Sequence, residues 1–360
     1  MNAIKGGEET GIMTGETFLR ETLDCLAAQR VRYPAMEGQD IVKFAFQAML
    51  GVGHLLADRD TVTEYITREM DGTVADPGEP LTEKLSPAWC RLNLRRAAAE
   101  GIPASVIARL MLSSGTEIPL TRRDVYEFCN GAGKEWIADP RQAEEILDET
   151  RLPSHSPAYR EQYHPAYRVI SADWIPRLEA VIRIAGKLSG TGRLLVTLDG
   201  PCASGKTTLA RRLAEVFGGP VVHTDEYVIP HAQKTPERLA VPGGNCDAER
   251  LAGEVAAPWK AGKTVRYRRY DCRADRMLPE EKLPDGTVLI LEGSYCNLPE
   301  IRRHADVRLF MDTPEEVRFG RLRKRESEAS LRMFRERWIP LENAYFAAYG
   351  LPDAECLIVR

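Results

Sequence analysis

Along the first half of the chain, apolar residues recur three and four positions apart. Phe18, Leu19, Leu23 and Leu26 keep that spacing, as do Ile41-Val42, Phe44-Ala45 and Ala48-Met49, and then Val106-Ile107 with Leu110-Met111. This is the period of helices that bury one face. Turn-forming groups interrupt it at Asp76-Pro77-Gly78, Asp139-Pro140 and Leu152-Pro153. The last segment of the kind, Trp174–Leu188, carries Leu178, Val181, Ile182, Ile184 and Ala185 on one stripe and runs into glycine-rich chain up to Gly192. Beyond it the pattern changes. Short apolar runs at Leu194–Leu198, Val221-Val222, Thr264–Tyr267, Val288–Leu291 and Val307–Met311 alternate with helical stretches at Glu249–Trp259 and Glu315–Arg325. Strand-sized apolar runs interleaved with amphipathic helices predict a parallel sheet with helices on both faces.

The pattern divides the chain into residues 1–16, a flexible N-terminus; 17–188, a mainly α-helical domain of unassigned role; 189–193, a linker; and 194–360, an α/β domain. The composition is that of an ordinary globular protein, with 43% hydrophobic and 28% charged residues and a formal net charge of -4. That weakly acidic balance gives no global attraction to nucleic acid or an anionic membrane, so neither is expected as a partner, and any phosphate site has to be local. Eight cysteines are scattered singly with no zinc spacing, which reads as reduced thiols in a cytoplasm. The first residues carry no apolar signal segment, and the apolar runs are strand-sized rather than membrane-sized. Nothing in the sequence speaks to the oligomeric state. His54, His155, Tyr163, His164 and Tyr167 lack metal-ligand spacing and read as turn and packing residues.

Directly after the run Leu194–Leu198 comes Gly200-Pro201-Cys202-Ala203-Ser204-Gly205-Lys206-Thr207-Thr208, which fits GxxxxGK[ST]. The order has a physical reason. Glycines let successive backbone N–H groups converge on one point, and the helix that starts near Lys206 adds its positive end. Lys206 then neutralises the β- and γ-phosphates of ATP, and the Thr207 hydroxyl joins the Mg²⁺ shell. The loop lies between a strand and a helical run containing Leu209, Leu213 and Val216, the context the motif requires. Thus the α/β domain reads as a P-loop NTPase fold. Cys202, near a helix N-terminus, reads as a small filler residue, with a stabilised thiolate as the rival reading.

Kinase chemistry also needs an acceptor base, an acid near Mg²⁺ and cations over the transferred phosphate. The second strand ends in Asp225-Glu226-Tyr227, and the strand through Val288–Leu291 ends in Glu292-Gly293. Strand carboxyl ends are where such sheets place reactive groups. The helix after Asp312-Thr313-Pro314 stacks Arg318, Arg321 and Arg325 on one face. Asp247 begins a helical stretch and reads equally as an N-cap or as a group that holds the acceptor. Arg268, beside Arg269, reads as a contact to an anionic acceptor or as a solvated edge strand.

These stretches resemble the uridine kinase family, in the group with phosphoribulokinase and pantothenate kinase, and especially its two-part bacterial members. The likeness runs through Leu198–Thr208, His223–Pro230, Tyr267–Cys272, Leu291–Tyr295, Phe310–Arg325 and Arg337–Asn343, and spans essentially all of residues 194–350. It implies Asp225 as base, Glu292 near Mg²⁺, and Arg318, Arg321 and Arg325 as lid cations. Asp247, Tyr227, Arg268 and Tyr270 fall on the acceptor side. It further implies ATP and Mg²⁺ as cofactors, and phosphoryl transfer to a hydroxyl of a small molecule, most naturally a nucleoside. The sequence departs from the family at two places. Pro201, Cys202 and Ala203 replace glycine and serine, with Gly200 and Gly205 expected to carry the turn. After Tyr270-Asp271, Cys272-Arg273 stands where an aromatic residue and a histidine help read the pyrimidine. The competing readings are a kinase for a non-nucleoside hydroxyl metabolite and an ATP-gated regulator with little turnover.

Overall fold

In the computed structural model, residues 15–51, 58–76, 78–114, 120–137, 139, 141–188, 190, 192–272 and 274–360 are described. His54 and Arg273 lie outside them. The chain divides into two compact units between Ile175 and Pro176.

The first unit is mainly helical. Its helices include Gly15–Arg32, Gly38–Leu50, Arg59–Met70, Ala104–Leu112 and Arg122–Asn130. Helix Gly38–Leu50 buries Ile41, Val42, Phe44, Ala45, Ala48 and Met49, the residues whose spacing announced it. Three short strands were not expected: β1 (Thr82–Lys84), β2 (Trp89–Asn93) and β3 (Tyr167–Ser171), antiparallel in that order. The centre of β2 is Arg91, fully buried, and a charge in mid-strand masks the apolar run that would have revealed it.

The second unit is built on a five-stranded parallel sheet of β4 (Leu194–Asp199), β5 (Val221–His223), β10 (Val288–Glu292), β11 (Val307–Met311) and β12 (Cys356–Val359), ordered β12-β11-β4-β10-β5. Every residue of β4, β10 and β11 is buried, which is why these strands read as unbroken apolar runs. Strand order reverses at β4, and the crevice at its carboxyl end is where such sheets bind ligands. Helix Leu178–Leu188 was placed before the domain boundary. Its stripe of Leu178, Val181, Ile184 and Ala185 is buried, and the helix packs on β4 and β11, so it lies with the second unit. The expected strand through Thr264–Tyr267 is not in the main sheet. Arg266–Tyr267 (β6) pairs with Glu281–Lys282 (β9), and Tyr270–Asp271 (β7) pairs with Arg276–Met277 (β8), as separate antiparallel ribbons. No helix among the described residues is long and apolar enough to cross a membrane.

Candidate active site

The site grows from the carboxyl end of β4. Gly200 has φ 137°, and a Cβ there would lie 2.5 Å from the Met311 carbonyl oxygen, so only glycine lets the loop pass β11 so closely. Gly205, at φ 102°, turns the chain into the helix Lys206–Phe217. Ala203 also adopts a positive φ, 58°, so the turn has three left-handed positions rather than the two glycines expected. The amides of Gly205, Lys206, Thr207 and Thr208 find no acceptor among the described residues, and the Ser204 hydroxyl is buried without a partner. Donors of this kind, at the N-terminus of a twelve-residue helix, fit a polyphosphate.

The Lys206 ammonium donates to the carbonyls of Gly200 and Pro201, at 2.8 Å each. Thr207 donates its hydroxyl to Glu292 Oε1 at 3.0 Å. Glu292 ends β10 and is buried, in register with Leu198 of β4 and His223 of β5. His223 Nδ1 also meets Glu292 Oε1, and this bond holds the imidazole pKa above its ordinary value. Thr207 and Glu292 are the groups that would take Mg²⁺, an ion usually held by one or two protein oxygens together with phosphate.

Asp225 follows β5 in a 3₁₀ turn. Its residue is exposed to solvent, yet enough protein crowds the carboxylate that desolvation, opposed by the nearby Lys206, raises its pKa. Arg318 donates to the carbonyls of Thr313 (3.2 Å) and Cys202 (3.4 Å), and Arg321 donates to that of Ala203 (3.0 Å). These two arginines are brought onto the loop, whereas Arg325 is exposed and pairs with its neighbour Glu326.

The acceptor-side candidates scatter. Tyr227 is wholly buried, with the Arg250 guanidinium 4.1 Å from its ring centre, so it serves packing. Asp247 caps the helix that begins at Ala248, accepting from the Arg250 amide and from Arg250 Nε at 2.9 Å. Arg268 pairs with Glu254, and the Tyr270 hydroxyl closes on Asp275. At Cys202, burial, and then Glu342, push the thiol up to about 12, the direction of a small filler residue rather than of a stabilised thiolate.

A layer of polar residues beneath the loop went unread. Glu342 is buried, accepting from the Cys202 amide (2.9 Å) and from the Ser294 hydroxyl (2.6 Å). Asp199 accepts from the Gly200 amide, the Asn297 amide and the Tyr345 hydroxyl at 2.7 Å. The available signal was a glutamate inside the aromatic stretch Trp338–Tyr349, where a core face leaves little reason for a charge.

With this geometry in place, residues 247–329 match the model of the phosphoribulokinase/uridine kinase family. Over 97 residues the chain is 33% identical to a cytidylate kinase of Methylobacterium sp. (strain 4-46), a stretch that covers 27% of this chain and 40% of that relative. Among solved structures, a possible uridine kinase from Bacillus stearothermophilus aligns at 21% identity, covering 51% of this chain and 100% of that one, with a TM-score of 0.39. A sugar kinase from Janibacter sp. HTCC2649 aligns at 20% identity over 46% of this chain and 84% of that one, with a TM-score of 0.27. The family match falls within the unit that carries the P-loop.

Proposed function

We propose that this uridine kinase-like domain transfers the γ-phosphoryl group of ATP to a hydroxyl of a small molecule, with a nucleoside as the favoured acceptor. The observation that carries the reading is the convergence, at the carboxyl ends of β4, β5 and β10, of a loop of unpaired amides, Lys206, Glu292 and Asp225. Phosphoryl transfer asks little covalent chemistry of the protein; positioning and charge neutralisation dominate. Lys206 and the amides of Gly205–Thr208 hold the phosphates, while Arg318 and Arg321 add positive charge from above the loop. Asp225 accepts the proton of the attacking hydroxyl at its carboxylate, and its raised pKa improves it as an acceptor near neutral pH. Thr207 and Glu292 would hold Mg²⁺, which would supply further neutralisation of the phosphate oxygens.

A non-nucleoside acceptor is the second reading. It is favoured by Tyr270, whose hydroxyl is tied to Asp275 within its own ribbon rather than presented to a base.

The test is ADP release with a panel of nucleosides and sugar alcohols. The expected result is turnover that depends on one of these acceptors and that Asp225→Asn lowers by about 10³-fold, with the KM for ATP within about twofold of the parent. Slow turnover indifferent to acceptor and to Asp225→Asn would point instead to an ATP-gated regulator.

A further inference from the structure

The first unit carries a half-open cavity of about 500 Å³ that the kinase chemistry does not use. Its lining mixes the cations Lys43 and Arg160 with apolar Val62, Tyr65 and Met111. The charges around it do not cancel. Arg168, also in the lining, is matched by Glu69 through two bonds of 2.8 Å. Arg160, an exposed residue of the lining, directs Nε and Nη2 at the His155 carbonyl, 2.9 and 2.7 Å away, and has no carboxylate partner among the described residues. Lys43 has no hydrogen-bond or ion-pair partner among the described residues. Burial first, and then Arg91, push its ammonium down to about 8.

Arg91 stands behind this wall, fully buried. It donates to the neutral Gln29 and Gln47 side chains and lies 4.4 Å from the Tyr167 ring centre. Glu83, the acid whose field reaches Arg91, is already bonded by Gln29, Tyr33 and Arg32, and Asp40, the acid whose field reaches Lys43, is engaged by His155, Ser156 and the Glu37 amide. His155 adds no charge, because burial holds its imidazole down to about 4. Gathering unmatched cations around a partly apolar cavity is costly, and such arrangements persist where a ligand supplies the missing negative charge.

We propose that this cavity binds a small organic anion, its carboxylate or phosphate head meeting Lys43 and Arg160 and its apolar body lying against Val62, Tyr65 and Met111. The proposal stands apart from the kinase reading, since no residue of the P-loop unit enters it.

Calorimetric titration of the full chain carrying Lys206→Ala, which weakens the P-loop as a rival phosphate site, tests it with three probes that share a benzene ring. Benzoate and phenyl phosphate carry the two heads, and benzyl alcohol carries none. The expected result is binding of at least one acid and not of the alcohol, weakened tenfold or more by Lys43→Met; the tighter acid identifies the head. Without ligand, Lys43→Met melts at the parent temperature or above, because an unmatched charge has gone. Tyr65, 57% exposed, gives a second variant that leaves the fold alone: Tyr65→Ala weakens the ring-bearing acid and leaves inorganic phosphate unaffected. Failure of both acids to bind at millimolar concentration, or binding that Lys43→Met and Tyr65→Ala leave unchanged, overturns the proposal.

Discussion

Asp40 in the first unit and Asp199 in the second are both entirely removed from water, yet their protons are held in opposite directions. Burial raises the pKa of each, since a carboxylate loses its hydration. At Asp40 that effect is outweighed by donors: His155 Nδ1 at 2.7 Å, the Ser156 hydroxyl at 2.7 Å, the Ser156 amide at 3.0 Å and the Glu37 amide at 3.1 Å, so its pKa falls. At Asp199 the Tyr345 hydroxyl, the amides of Gly200 and Asn297, and the charge of Lys206 offset burial only in part, and the pKa stands at about 6. The contrast teaches that donors set against the weight of surrounding protein, heavier at Asp199, decide whether a buried acid is a fixed charge. Asp40 is an anchor that ties helix Gly38–Leu50 to the chain at His155-Ser156. Asp199 is a titratable prop beneath the phosphate loop.

The largest effect expected from this comparison is at Asp40. Asp40→Asn turns an amide NH₂ toward donors and should destabilise the first unit by roughly 3 kcal/mol, because hydrogen bonds to a buried carboxylate are lost and a buried donor is left unsatisfied. Because the Asp40 pKa is lowered in the folded state, its stabilisation is present above the unfolded value of 3.8 and is lost as pH falls through the lower folded value. Hydrogen exchange read peptide by peptide separates the two units. Residues 38–50 and 155–171 should exchange faster in the variant, and unchanged protection there would refute the anchor.

Asp199 has the opposite sign. Its folded pKa of about 6 exceeds the unfolded 3.8, so the native state binds the proton more tightly, and its contribution is full below pH 3.8 and lost as pH rises through 6. The second unit should lose up to roughly 3 kcal/mol between pH 4 and pH 7 from this group, at about 1.4 kcal/mol per pKa unit. Asp199→Asn should flatten that slope in segment 194–217 while leaving residues 38–50 untouched. An unaltered slope would mean that Asp199 is ionised throughout.

The same contrast explains what the sequence made legible. The P-loop and its helix depend on consecutive residues and on backbone conformation, so Gly200–Thr208 could be read along with the apolar runs of β4, β10 and β11. The strand ends bearing Asp225 and Glu292 followed, because parallel strands place their carboxyl ends together. The cluster of Asp40, Arg91, His155 and Tyr167 is assembled from residues scattered over more than half the chain's first 175 positions, and no local spacing announces it. Arg91 also concealed β2, since a buried cation in mid-strand looks like a surface position. Glu342 and Tyr345 were hidden for a related reason: they reach Cys202 and Asp199 from chain more than a hundred residues away. Asp247 was read equally as a cap or an acceptor group, and the structure shows the cap; Tyr227, set on the acceptor side by resemblance, is buried in local packing.

The smallest effect lies in the loop itself and tests whether its shape depends on an alanine in the left-handed region. An L-residue at Ala203, φ 58°, carries strain of about 1 kcal/mol that glycine would not. Glycine in turn gives the unfolded chain more freedom, at a cost of about 0.5 to 1 kcal/mol. The Arg321 bond to the residue 203 carbonyl is to backbone and survives the change. Ala203→Gly should therefore alter the stability of segment 194–217 by less than about 0.5 kcal/mol, whereas glycine at an ordinary helical or extended position would lower it by more. A loss above about 1 kcal/mol would show that the backbone at 203 is not left-handed, and that two glycines carry the turn after all.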